Sequence, residues 1–373
     1  MRIGVVKETE ARETRVAATP ETVKKFASLG AEVLVAKSAG LASGVTDADY
    51  AAAGAALVEQ AEALGADVVL KVRRPNAAEI EGLKPGAIVV AIQDPYGHDA
   101  ELAALAKAGV SAVAMELMPR ITRAQVMDVL SSQANLAGYR AVLDAAAEYG
   151  RALPMMMTPA GTVPAARAFI MGVGVAGLQA IATARRLGAI VTATDVRPAT
   201  KEQVESLGAK FVAVEDEEFK QAETAGGYAK EMSDAYKAKQ ATLVATHIAK
   251  QDIVVTTALI PGRPAPKLVS AAMVASMRPG SVIVDLAVER GGNCELAKPN
   301  ETVVSENGVR IVGYSDVRRL ASTASSLYAR NLYAFVETLI KDKQLAVNWD
   351  DELVKATLLT RDGAVVHPNF KPS

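Results

Sequence analysis

A run of hydrogen-bonding side chains between Pro119 and Gln133 is the part of the sequence best suited to hold a polar ligand. It reads PRITRAQVMDVLSSQ and contains two arginines, two glutamines, two serines and one aspartate, but no histidine, cysteine or tyrosine. Histidine is the side chain that most often moves a proton in catalysis, and cysteine is a common nucleophile. The segment therefore raises the question of which reaction needs many binding groups and no proton shuttle.

A glycine-rich turn further along the chain is the strongest motif. Gly172, Gly174 and Gly177 form GxGxxG within RAFIMGVGVAGLQAIATARRLGAIVTATDVR, directly after an apolar strand and directly before a helix. The first glycine permits a tight turn, the second lets backbone approach a pyrophosphate, and the third lets helix and strand pack closely. The helix N-terminus offers free N–H groups to the phosphates. The motif predicts a dinucleotide site, to which Val175 and Ala176 also belong.

An acidic residue after the next strand favours one nucleotide. Asp195 stands 18 residues after Gly177, where a carboxylate binds ribose hydroxyls and repels a 2′-phosphate. Arg197 opposes this assignment, because a nearby arginine can accept a 2′-phosphate. With Asp195 in the usual position, the pattern favours NAD(H) over NADP(H). Val196 completes this group of candidate cofactor contacts.

Two further loops are predicted at the same edge of the sheet. TTALIPGRPAPKL, which begins at Thr256, follows the predicted strand DIVV and is stiffened by prolines. VDLAVERGGNCE, which begins at Val284, carries Asp285 and a Gly-Gly pair. Nucleotides bind at the carboxyl ends of parallel strands, so both loops are candidates, although either could be an ordinary connection. The candidate cofactor contacts in the first loop are Thr257, Ala258 and Leu259.

A polar stretch between these motifs predicts a mobile lid. AETAGGYAKEMSDAYKAKQ begins at Ala222 and has Gly226-Gly227 as a hinge, with Tyr228 and Met232 as apolar groups in poorly packed surroundings. Closure of such a loop would exclude water from a reacting nucleotide. A plain solvent-exposed connection is the alternative. Within the lid, Gly227 and Tyr228 are candidate cofactor contacts.

The composition excludes several classes of function. The 373 residues carry 41 basic and 42 acidic side chains, and only 4% are aromatic, so neither charge nor stacking surface favours nucleic acid. The single cysteine cannot form an internal disulfide and fits a reducing compartment. The three scattered histidines lack metal-ligand spacing, and no metal is expected. No apolar run reaches the length of a membrane span, which predicts a soluble intracellular protein.

The elements that must position these motifs follow an α/β rhythm. Leu-Gly-Ala followed by a β-rich run recurs four times, and unbroken Val/Ile runs are typical of parallel strands covered on both faces. Long helical patterns, one starting at residue 122 and one in SSLYARNLYAFVETLIKDK, flank the middle of the chain. We predict two Rossmann-like, doubly wound parallel-sheet domains joined by long helices. The cofactor domain, residues 131–319, is inserted into the first, residues 1–130 plus 320–373.

The longest motifs resemble a known family. RITRAQVMDVLSSQANLAGYRAV, MMMTPAGTVPAARAFIMGVGVAGLQAIATARRLGA, TDVRPATKEQVESLGAKF and SVIVDLAVERGGNC look like the NAD(H)-binding component of proton-translocating nicotinamide nucleotide transhydrogenase. The resemblance covers essentially the whole chain. It implies a Re/Si-specific enzyme, active only with partner subunits, in which NADH bound here passes a hydride directly to NADP⁺ on a partner domain.

The resemblance also answers the question raised by the first motif. Both reactants are nicotinamides, so the hydride moves from C4 to C4 and no general acid or base is required. It implies that Arg120 and Asp128 form a charged pair at the nicotinamide and that Ser131 holds its carboxamide. Gln125 would reach toward the second nicotinamide. The neighbouring residues implied at the cofactor are Ile121, Thr122 and Arg123.

The resemblance implies partners as well. NADP(H) belongs to a partner domain, the proton channel belongs to membrane-spanning subunits, and this component forms a homodimer in the family. The chain is accordingly expected to be cytoplasmic and peripheral on the inner membrane, where its partner subunits hold it.

Two other functions stay open on the sequence alone. A weaker likeness to alanine dehydrogenases lies in RVAATPE and LKVRRP, where Arg15 and Lys71 match substrate-binding residues. Those enzymes also need a histidine after the following strand, where this chain has Gln93-Asp94-Pro95, with His98 later on a turn. Oxidation at a C–N bond needs proton transfer, so this change argues against the activity. A non-catalytic NAD-binding module would keep the glycine-rich turn and need no Gln125.

Overall fold

The structure, a computed structural model, describes residues 1–221, 232–260, 262–314 and 317–371. Contacts between Cα atoms divide the chain into two compact units. The first unit is Met1–Gln133 with Val317–Ser373, and the second is Ala134–Asp316. The sequence of the second unit is therefore inserted into that of the first.

The first unit begins with six parallel strands that alternate with helices. The strands are β1 Arg2–Val5, β2 Glu32–Ala36, β3 Ala56–Val58, β4 Val68–Arg73, β5 Ile88–Ile92 and β6 Ser111–Ala114. The helices are α1 Pro20–Ser28, α2 Asp47–Ala52, α3 Gln60–Leu64, α4 Ala77–Gly82 and α5 Asp99–Lys107. The sheet order β3-β2-β1-β4-β5-β6 is that of a doubly wound Rossmann sheet.

The second unit repeats this architecture. Helix α6, Val129–Glu148, begins in the last residues of the first unit and continues into the second. The strands are β7 Met156–Thr158, β8 Gly161–Val163, β9 Arg167–Met171, β10 Ile190–Thr194, β11 Lys210–Phe211, β12 Ile253–Thr256, β13 Val282–Asp285, β14 Thr302–Val304 and β15 Arg310–Val312. The helices are α7 Val175–Arg186, α8 Thr200–Ser206, α9 Glu217–Lys220, α10 Asp234–Ile248 and α11 Ala271–Ser276. The sheet order is β11-β10-β9-β12-β13-β15-β14, and only the edge strand β14 is antiparallel.

The chain ends in elements of the first unit. They are α12 Ala321–Glu337, β16 Ile340–Lys341, β17 Gln344–Leu345, α13 Glu352–Thr357, β18 Thr360–Arg361 and β19 Ala364–Val365. Short 3-10 helices occupy Leu41–Ser43, Met115–Leu117, Thr122–Met127, Val288–Arg290 and Val317–Leu320. Helix α12 buries Tyr328, Leu332 and Phe335 in the core of the first unit. The predicted fold class, with two Rossmann-like parallel sheets, is confirmed.

Helix α6 packs closely on the start of α7 through Gly138. A Cβ on Gly138 would lie 2.0 Å from the carbonyl oxygen of Ala176 and 2.7 Å from its carbonyl carbon. The two backbones approach this closely only because residue 138 has no side chain. Ala176 lies within the GxGxxG motif, in the first turn of α7.

Replacement of Gly138 by alanine should destabilise the protein, because α6 must then move away from α7. Overpacking of this kind costs about 1–3 kcal/mol, more than the roughly 1 kcal/mol that alanine gains over glycine within a helix. We expect a lower Tm in thermal unfolding of Gly138→Ala. Gly150→Ala is the matched control, since a Cβ there meets nothing within 4 Å. Equal Tm values for the two variants would contradict the close contact.

Candidate functional site

The glycine-rich turn of the second unit is held by the loop that follows β12. Gly172 follows β9 with φ +101°, a conformation that L side chains rarely adopt. Its carbonyl oxygen accepts a hydrogen bond from Thr257 Oγ1 at 3.0 Å, and the Thr257 N–H donates to Met171 O at 2.9 Å. A Cβ on Gly172 would be only 2.6 Å from Thr257 Oγ1. The turn and the loop therefore fix each other's position.

The other two glycines of the motif have opposite surroundings. A Cβ on Gly177 would lie 1.9 Å from the carbonyl oxygen of Gly172, so this position admits no side chain. A Cβ on Gly174, the N-cap of α7, would meet nothing within 4 Å. Gly177 thus serves the packing of helix against strand. Gly174 leaves open the space beside the helix N-terminus, where the unpaired N–H groups of the first turn attract phosphate.

Asp195 follows β10 and contacts the same turn. Its Oδ2 accepts a hydrogen bond from the backbone N–H of Val173 at 2.7 Å. Arg197 makes the other contacts: its backbone N–H and Nε bind Oδ1, both at 2.9 Å, and its Nη2 binds Oδ2 at 3.0 Å. The Asp195 side chain is 7% exposed and that of Arg197 is 30% exposed. The carboxylate thus lies beside the turn together with a cation that occupies both of its oxygens.

A buried asparagine that the sequence analysis missed orders the loop after β12. Asn293 is fully buried, and its Oδ1 accepts a hydrogen bond from Ala258 N–H at 3.0 Å. Its Nδ2 donates to the carbonyls of Ala258 and Pro266, at 2.9 and 2.8 Å. Asp285, also buried, accepts two backbone N–H groups of its own loop, at 2.9 and 2.8 Å. The signal in the sequence was a polar residue directly after a Gly-Gly pair.

Exposed apolar side chains follow the same strand ends. Val175 stands after β9 and Val196 after β10, while Leu259 and Ile260 follow β12, and their exposed fractions run from 39% to 53%. These strands are neighbours in the sheet, in the order β10-β9-β12, so the four residues follow adjacent strand ends. Such groups around a few polar contacts are typical of sites for flat organic rings.

The predicted lid lies largely outside the described residues, and both of its candidate contacts, Gly227 and Tyr228, fall there. Met232, predicted to be poorly packed, is instead only 8% exposed and belongs to the core of the second unit. It packs there in one cluster with Phe219 and Tyr236. The prediction was wrong at Met232 because a polar sequence context does not show which single side chain turns inward.

In the first unit, the polar segment Pro119–Gln133 forms two helices rather than one. Thr122–Met127 is a 3-10 helix, Asp128 departs from it with ψ 91°, and α6 then begins. The Asp128 carboxylate accepts hydrogen bonds from the N–H and the hydroxyl of Ser131, at 2.8 and 2.5 Å. The single long helix predicted from residue 122 is therefore wrong at its start, because an aspartate at the N-cap position begins a new helix.

Helix α12 and the N-terminal loop anchor this segment. Asn331 Nδ2 donates to the carbonyl of Val126 at 2.8 Å, and Asn331 Oδ1 accepts from Ser132 Oγ at 2.7 Å. Gln133 is buried, and its Oε1 accepts a hydrogen bond from Arg15 Nη1 at 2.9 Å. Within the polar segment, Ser132 and Gln133 therefore anchor the chain by binding other residues of the first unit. Other polar residues of the segment remain exposed.

The predicted site residues of this segment have different surroundings. Arg123 forms a two-pronged ion pair with Asp351, with both distances 2.8 Å, and so serves the first unit itself. Arg120 and Gln125 are exposed, and neither side chain makes a hydrogen bond or ion pair with the residues described. The charged pair of Arg120 with Asp128 is not present in this structure, in which the Asp128 carboxylate binds Ser131. Of the other two candidates, the structure shows Ile121 half-buried and Thr122 exposed.

A buried ion-pair cluster contains the arginine that resembles a dehydrogenase substrate ligand. Arg15 Nε and Nη2 each lie 2.7 Å from an oxygen of Glu13, and Arg73 Nε lies 2.9 Å from the same carboxylate. Burial alone would raise the pKa of Glu13. The hydrogen bonds and charge of Arg15, with the charge of Arg73, outweigh burial and lower this pKa to about 2. Glu13 is therefore ionised at neutral pH, and it occupies both arginines.

Lys71, the other residue that resembles a dehydrogenase substrate ligand, is also bound to acidic side chains. Lys71 is 1% exposed, and its Nζ lies 2.8 Å from Glu79 and 3.5 Å from Glu8. Burial raises the pKa of Glu8, and the charge of Lys71 acts against that rise. Sequence reasoning found Arg15 and Lys71 but missed their glutamate partners, because a single sequence does not show which side chains pair in the folded chain.

An amide stands where a dehydrogenase would need an imidazole. Gln93 is fully buried, its Nε2 donates to Val113 O at 3.4 Å, and its Oε1 has no partner among the described residues. Glu116 accepts hydrogen bonds from the backbone N–H groups of Gln93 and Asp94, and burial raises its pKa to about 7. His98 turns its Nδ1 to the carbonyl oxygen of Asp94 at 2.7 Å. Among the described residues, the side chains of Lys71 and Arg15 bind glutamates and a glutamine, and neither binds an imidazole.

Neither a membrane span nor a metal cluster occurs among the described residues. None of their helices combines the length and apolar character that crossing a membrane requires. Within the same residues, no group of three or more His, Cys, Asp or Glu side chains is arranged to hold a metal ion.

Comparisons with known proteins agree with this picture. The family model "Alanine dehydrogenase/PNT, N-terminal domain" matches residues 4–137, and the corresponding C-terminal domain model matches residues 141–368. The chain is 55% identical to an NAD(P) transhydrogenase alpha subunit of Rhodospirillum rubrum over 99% of its length and 98% of that protein. The crystal structure of transhydrogenase from Sinorhizobium meliloti superposes with a TM-score of 0.91 at 60% identity, covering 98% of this chain and 100% of that one. Alanine dehydrogenase of Mycobacterium tuberculosis is 34% identical over 80% of this chain and 76% of its own.

Adding a methyl group at Gly174 tests nucleotide binding separately from the stability of the fold. Gly174→Ala should leave the Tm unchanged, because the Cβ has space and the backbone, at φ −83°, is ordinary for alanine. It should weaken NADH binding tenfold or more, about 1.4 kcal/mol, because the methyl group fills the space that a pyrophosphate needs. Fluorescence titration with NADH measures the binding. Unchanged affinity would contradict the assignment of this space to phosphate.

Proposed function

The chain belongs to the alanine dehydrogenase/PNT family, among the relatives of NAD(P) transhydrogenase alpha subunits, and we propose that it exchanges a hydride between its own bound NAD(H) and NADP(H) on a partner domain. In one direction NADH is oxidised to NAD⁺ and NADP⁺ is reduced to NADPH. One hydride, with its electron pair, leaves C4 of one nicotinamide and bonds to C4 of the other. The chemical step moves no separate proton.

The observation that carries the nucleotide assignment is the pairing of an open glycine with a carboxylate at one sheet edge. Gly174 leaves space beside the N–H groups of α7, which suits a pyrophosphate. Asp195, anchored to the turn through Val173, is the acceptor that ribose hydroxyls need. The further residues that we assign to the cofactor are Gly172, Val175, Ala176, Gly177, Val196, Arg197, Thr257, Ala258 and Leu259.

For the hydride step we assign orienting roles to residues of the polar segment. The Ser131 hydroxyl donates its proton to Asp128, so its oxygen is left to accept, which suits the NH₂ group of a nicotinamide carboxamide. Gln125 is exposed and its amide both donates and accepts, so it can contact a second nicotinamide. Arg120 is exposed too and is assigned to NAD(H). None of these residues needs to move a proton, because hydride transfer depends on placement of the two rings.

The partner domain and the membrane complete the proposal. The relatives are named as subunits of NAD(P) transhydrogenase, which supports a multi-subunit enzyme. We propose that NADP(H) binds to a separate domain and that membrane-spanning subunits couple the transfer to proton movement. The transfer would be Re/Si-specific, and this chain would be peripheral on the cytoplasmic side of the membrane.

A homodimer is part of the proposal, and one surface of the second unit supports it. Met155, Met156 and Met157, at the start of the β7–β8 hairpin, are 57%, 42% and 80% exposed. Three adjacent exposed methionines form an apolar surface that a soluble monomer seldom presents. Methionine also adapts its shape to a partner surface. A second copy of the chain is the occupant that we assign to it.

The rival function, oxidation of an amino acid by this chain alone, meets two obstacles in the first unit. Arg15 is paired with Glu13, and Lys71 is paired with Glu79, so their charges are already neutralised inside the protein. Gln93 cannot exchange a proton at neutral pH, and a C–N oxidation requires such a group. We therefore expect no turnover of alanine with NAD⁺, or of pyruvate and ammonia with NADH.

The proposal is tested by mixing the purified chain with NADH and a transhydrogenase NADP(H) domain loaded with NADP⁺. We expect hydride transfer, measured as NADPH formation. Gln125→Asn should slow the transfer on the order of a hundredfold, because a shift of about 1 Å between reacting groups can cost that much. Affinity for NADH should change little, since Gln125 is assigned to the second nicotinamide.

The matched control is Gln344→Asn, which makes the same change at another exposed glutamine of the first unit. It should leave the rate unaltered. Absence of transfer with the wild-type chain would overturn the proposed function, and alanine oxidation by the isolated chain would favour the rival. An unchanged rate in Gln125→Asn would remove this residue from the mechanism but leave the function standing.

Light scattering of the purified chain tests the dimer. We expect a mass of two chains, and about one chain for Met157→Lys, because a buried, unpaired charge opposes association. Leu41→Lys is the control, since Leu41 is also an exposed apolar residue, at 55%, but lies in the first unit. Loss of the dimer in both variants, or in neither, would argue against the hairpin as the contact.

A further inference from the structure

One buried side chain of α12 binds the polar segment on both sides of Asp128, where the 3-10 helix ends and α6 begins. Asn331 is 8% exposed; its Nδ2 donates to the carbonyl oxygen of Val126 at 2.8 Å, and its Oδ1 accepts from Ser132 Oγ at 2.7 Å. A carbonyl oxygen can only accept a hydrogen bond, so the amide must turn its NH₂ group to Val126 and its oxygen to the serine hydroxyl. Both polar ends of one side chain are thus used, in one orientation.

Each of these contacts lies one residue after a residue that we assign to a nicotinamide. Val126 follows Gln125, which is assigned to the second nicotinamide, and Ser132 follows Ser131, which is assigned to the carboxamide of NAD(H). Val126 belongs to the 3-10 helix and Ser132 to the first turn of α6. Asn331 therefore joins the two pieces of backbone that carry these residues.

We propose that Asn331 is a positioning residue for hydride transfer: by joining the two helices of the polar segment, it sets the separation between Gln125 and Ser131. The inference rests on the proposed function, in which these two residues contact different nicotinamides. Asn331 contacts no nucleotide in this proposal. It acts through the backbone of Val126 and through the side chain of Ser132.

The other contacts of the segment leave this separation less well defined. Ala124 and Met127 of the 3-10 helix are buried in the core of the first unit, but apolar burial is non-directional and tolerates small shifts. Asp128 leaves the 3-10 helix with ψ 91°, and its carboxylate binds the N–H and the hydroxyl of Ser131 on the α6 side of this break. The amide of Asn331 adds directional hydrogen bonds on both sides.

Asn331 stands on a firmly packed helix. Its neighbours on α12, Tyr328, Leu332 and Phe335, are fully buried, and the Tyr328 hydroxyl donates to the carbonyl oxygen of Lys71 at 2.8 Å. Protein interiors are close-packed, so a helix with this many buried positions shifts little. The amide therefore ties the polar segment to a fixed point of the first unit.

The test compares hydride transfer with NADH affinity in Asn331→Asp, using the NADP⁺-loaded partner domain. Aspartate has the size of asparagine but lacks the NH₂ group, so it cannot bind the Val126 carbonyl. NADPH formation should be slower on the order of tenfold, because the rate depends on the placement of the two rings. NADH affinity should change little, since the contacts assigned to the nucleotide in the second unit are untouched.

Asn307→Asp is the matched control, because Asn307 uses its amide in the same way in the second unit. Its Nδ2 donates to the carbonyls of Val274 and Met277, both at 3.0 Å, and its Oδ1 accepts from Ser305 Oγ at 2.7 Å. The substitution removes the same kind of hydrogen bonds away from the polar segment. It should leave the transfer rate unaltered.

A double variant shows whether Asn331 acts through Gln125. Asn331→Asp combined with Gln125→Asn should transfer hydride at nearly the rate of Gln125→Asn alone, because the placement of residue 125 no longer matters once its contact is lost. Residues that act through one contact show such non-additive effects. If the two effects multiply, Asn331 does not act through Gln125 and the inference is overturned.

The remaining outcomes separate this inference from the proposed function. If the wild-type chain transfers no hydride, both are overturned. If it does, equal rates for Asn331→Asp and Asn307→Asp overturn the inference alone, and so does a loss of NADH affinity as large as the loss of rate. Ser132→Ala is the second variant should Asn331→Asp fail to fold, because it removes the hydroxyl that binds Asn331 Oδ1. It should slow transfer without weakening NADH binding, and an unchanged rate would overturn the inference.

Discussion

The carbonyl oxygen of Gly172 is the point on which the arrangement of the glycine-rich turn and its neighbouring elements depends. Thr257 donates to it from one side at 3.0 Å, and Gly177 approaches it so closely that a Cβ there would lie at 1.9 Å. One backbone group therefore joins the turn after β9, the first turns of α7 and the loop after β12. The open space at Gly174 exists because these contacts hold the helix start in place. Asp195 adds the end of β10 through Val173.

The local sequence pattern was sufficient to predict the features that depend on backbone conformation. GxGxxG between a strand and a helix predicted the turn, and apolar runs predicted the two parallel sheets, since a buried strand and a glycine-dependent turn each carry a local signature. Asp195, the residue after β10, was also predicted from local pattern, by its spacing from the glycine-rich turn. The start of α6 was predicted wrongly, because the choice between one helix and two depends on whether Asp128 caps Ser131, and helical periodicity does not contain that information.

The remaining features depend on contacts between residues that are distant in the chain. Asn293 orders the loop at Ala258 from 35 residues away, and Arg15 reaches Gln133 across 118 residues. A single sequence gives the residue types at such positions but not their pairing. The pair of Arg197 with Asp195 was missed for another reason: it is local, but an arginine two residues from a carboxylate can bind it or turn to a ligand, and only the geometry distinguishes them.

The two units use their charged side chains in different ways, and this difference supports the proposed hydride exchange. In the first unit, arginines and a lysine at the sheet edge are neutralised by Glu13, Glu79 and Glu8, and the pKa of Glu13 is held at about 2. Buried ions of this kind are costly to separate, so the cluster is a poor binding site for a free acid. In the second unit, a buried carboxylate and a partly exposed cation lie beside helix N–H groups. Charged groups paired in this way in the first unit hold the scaffold, whereas Arg120 and Gln125 are exposed and bind no other described residue, so we propose that these two are left for ligands. A hydride exchange between two nicotinamides needs that division, because its rate depends on rigid placement rather than on proton transfer.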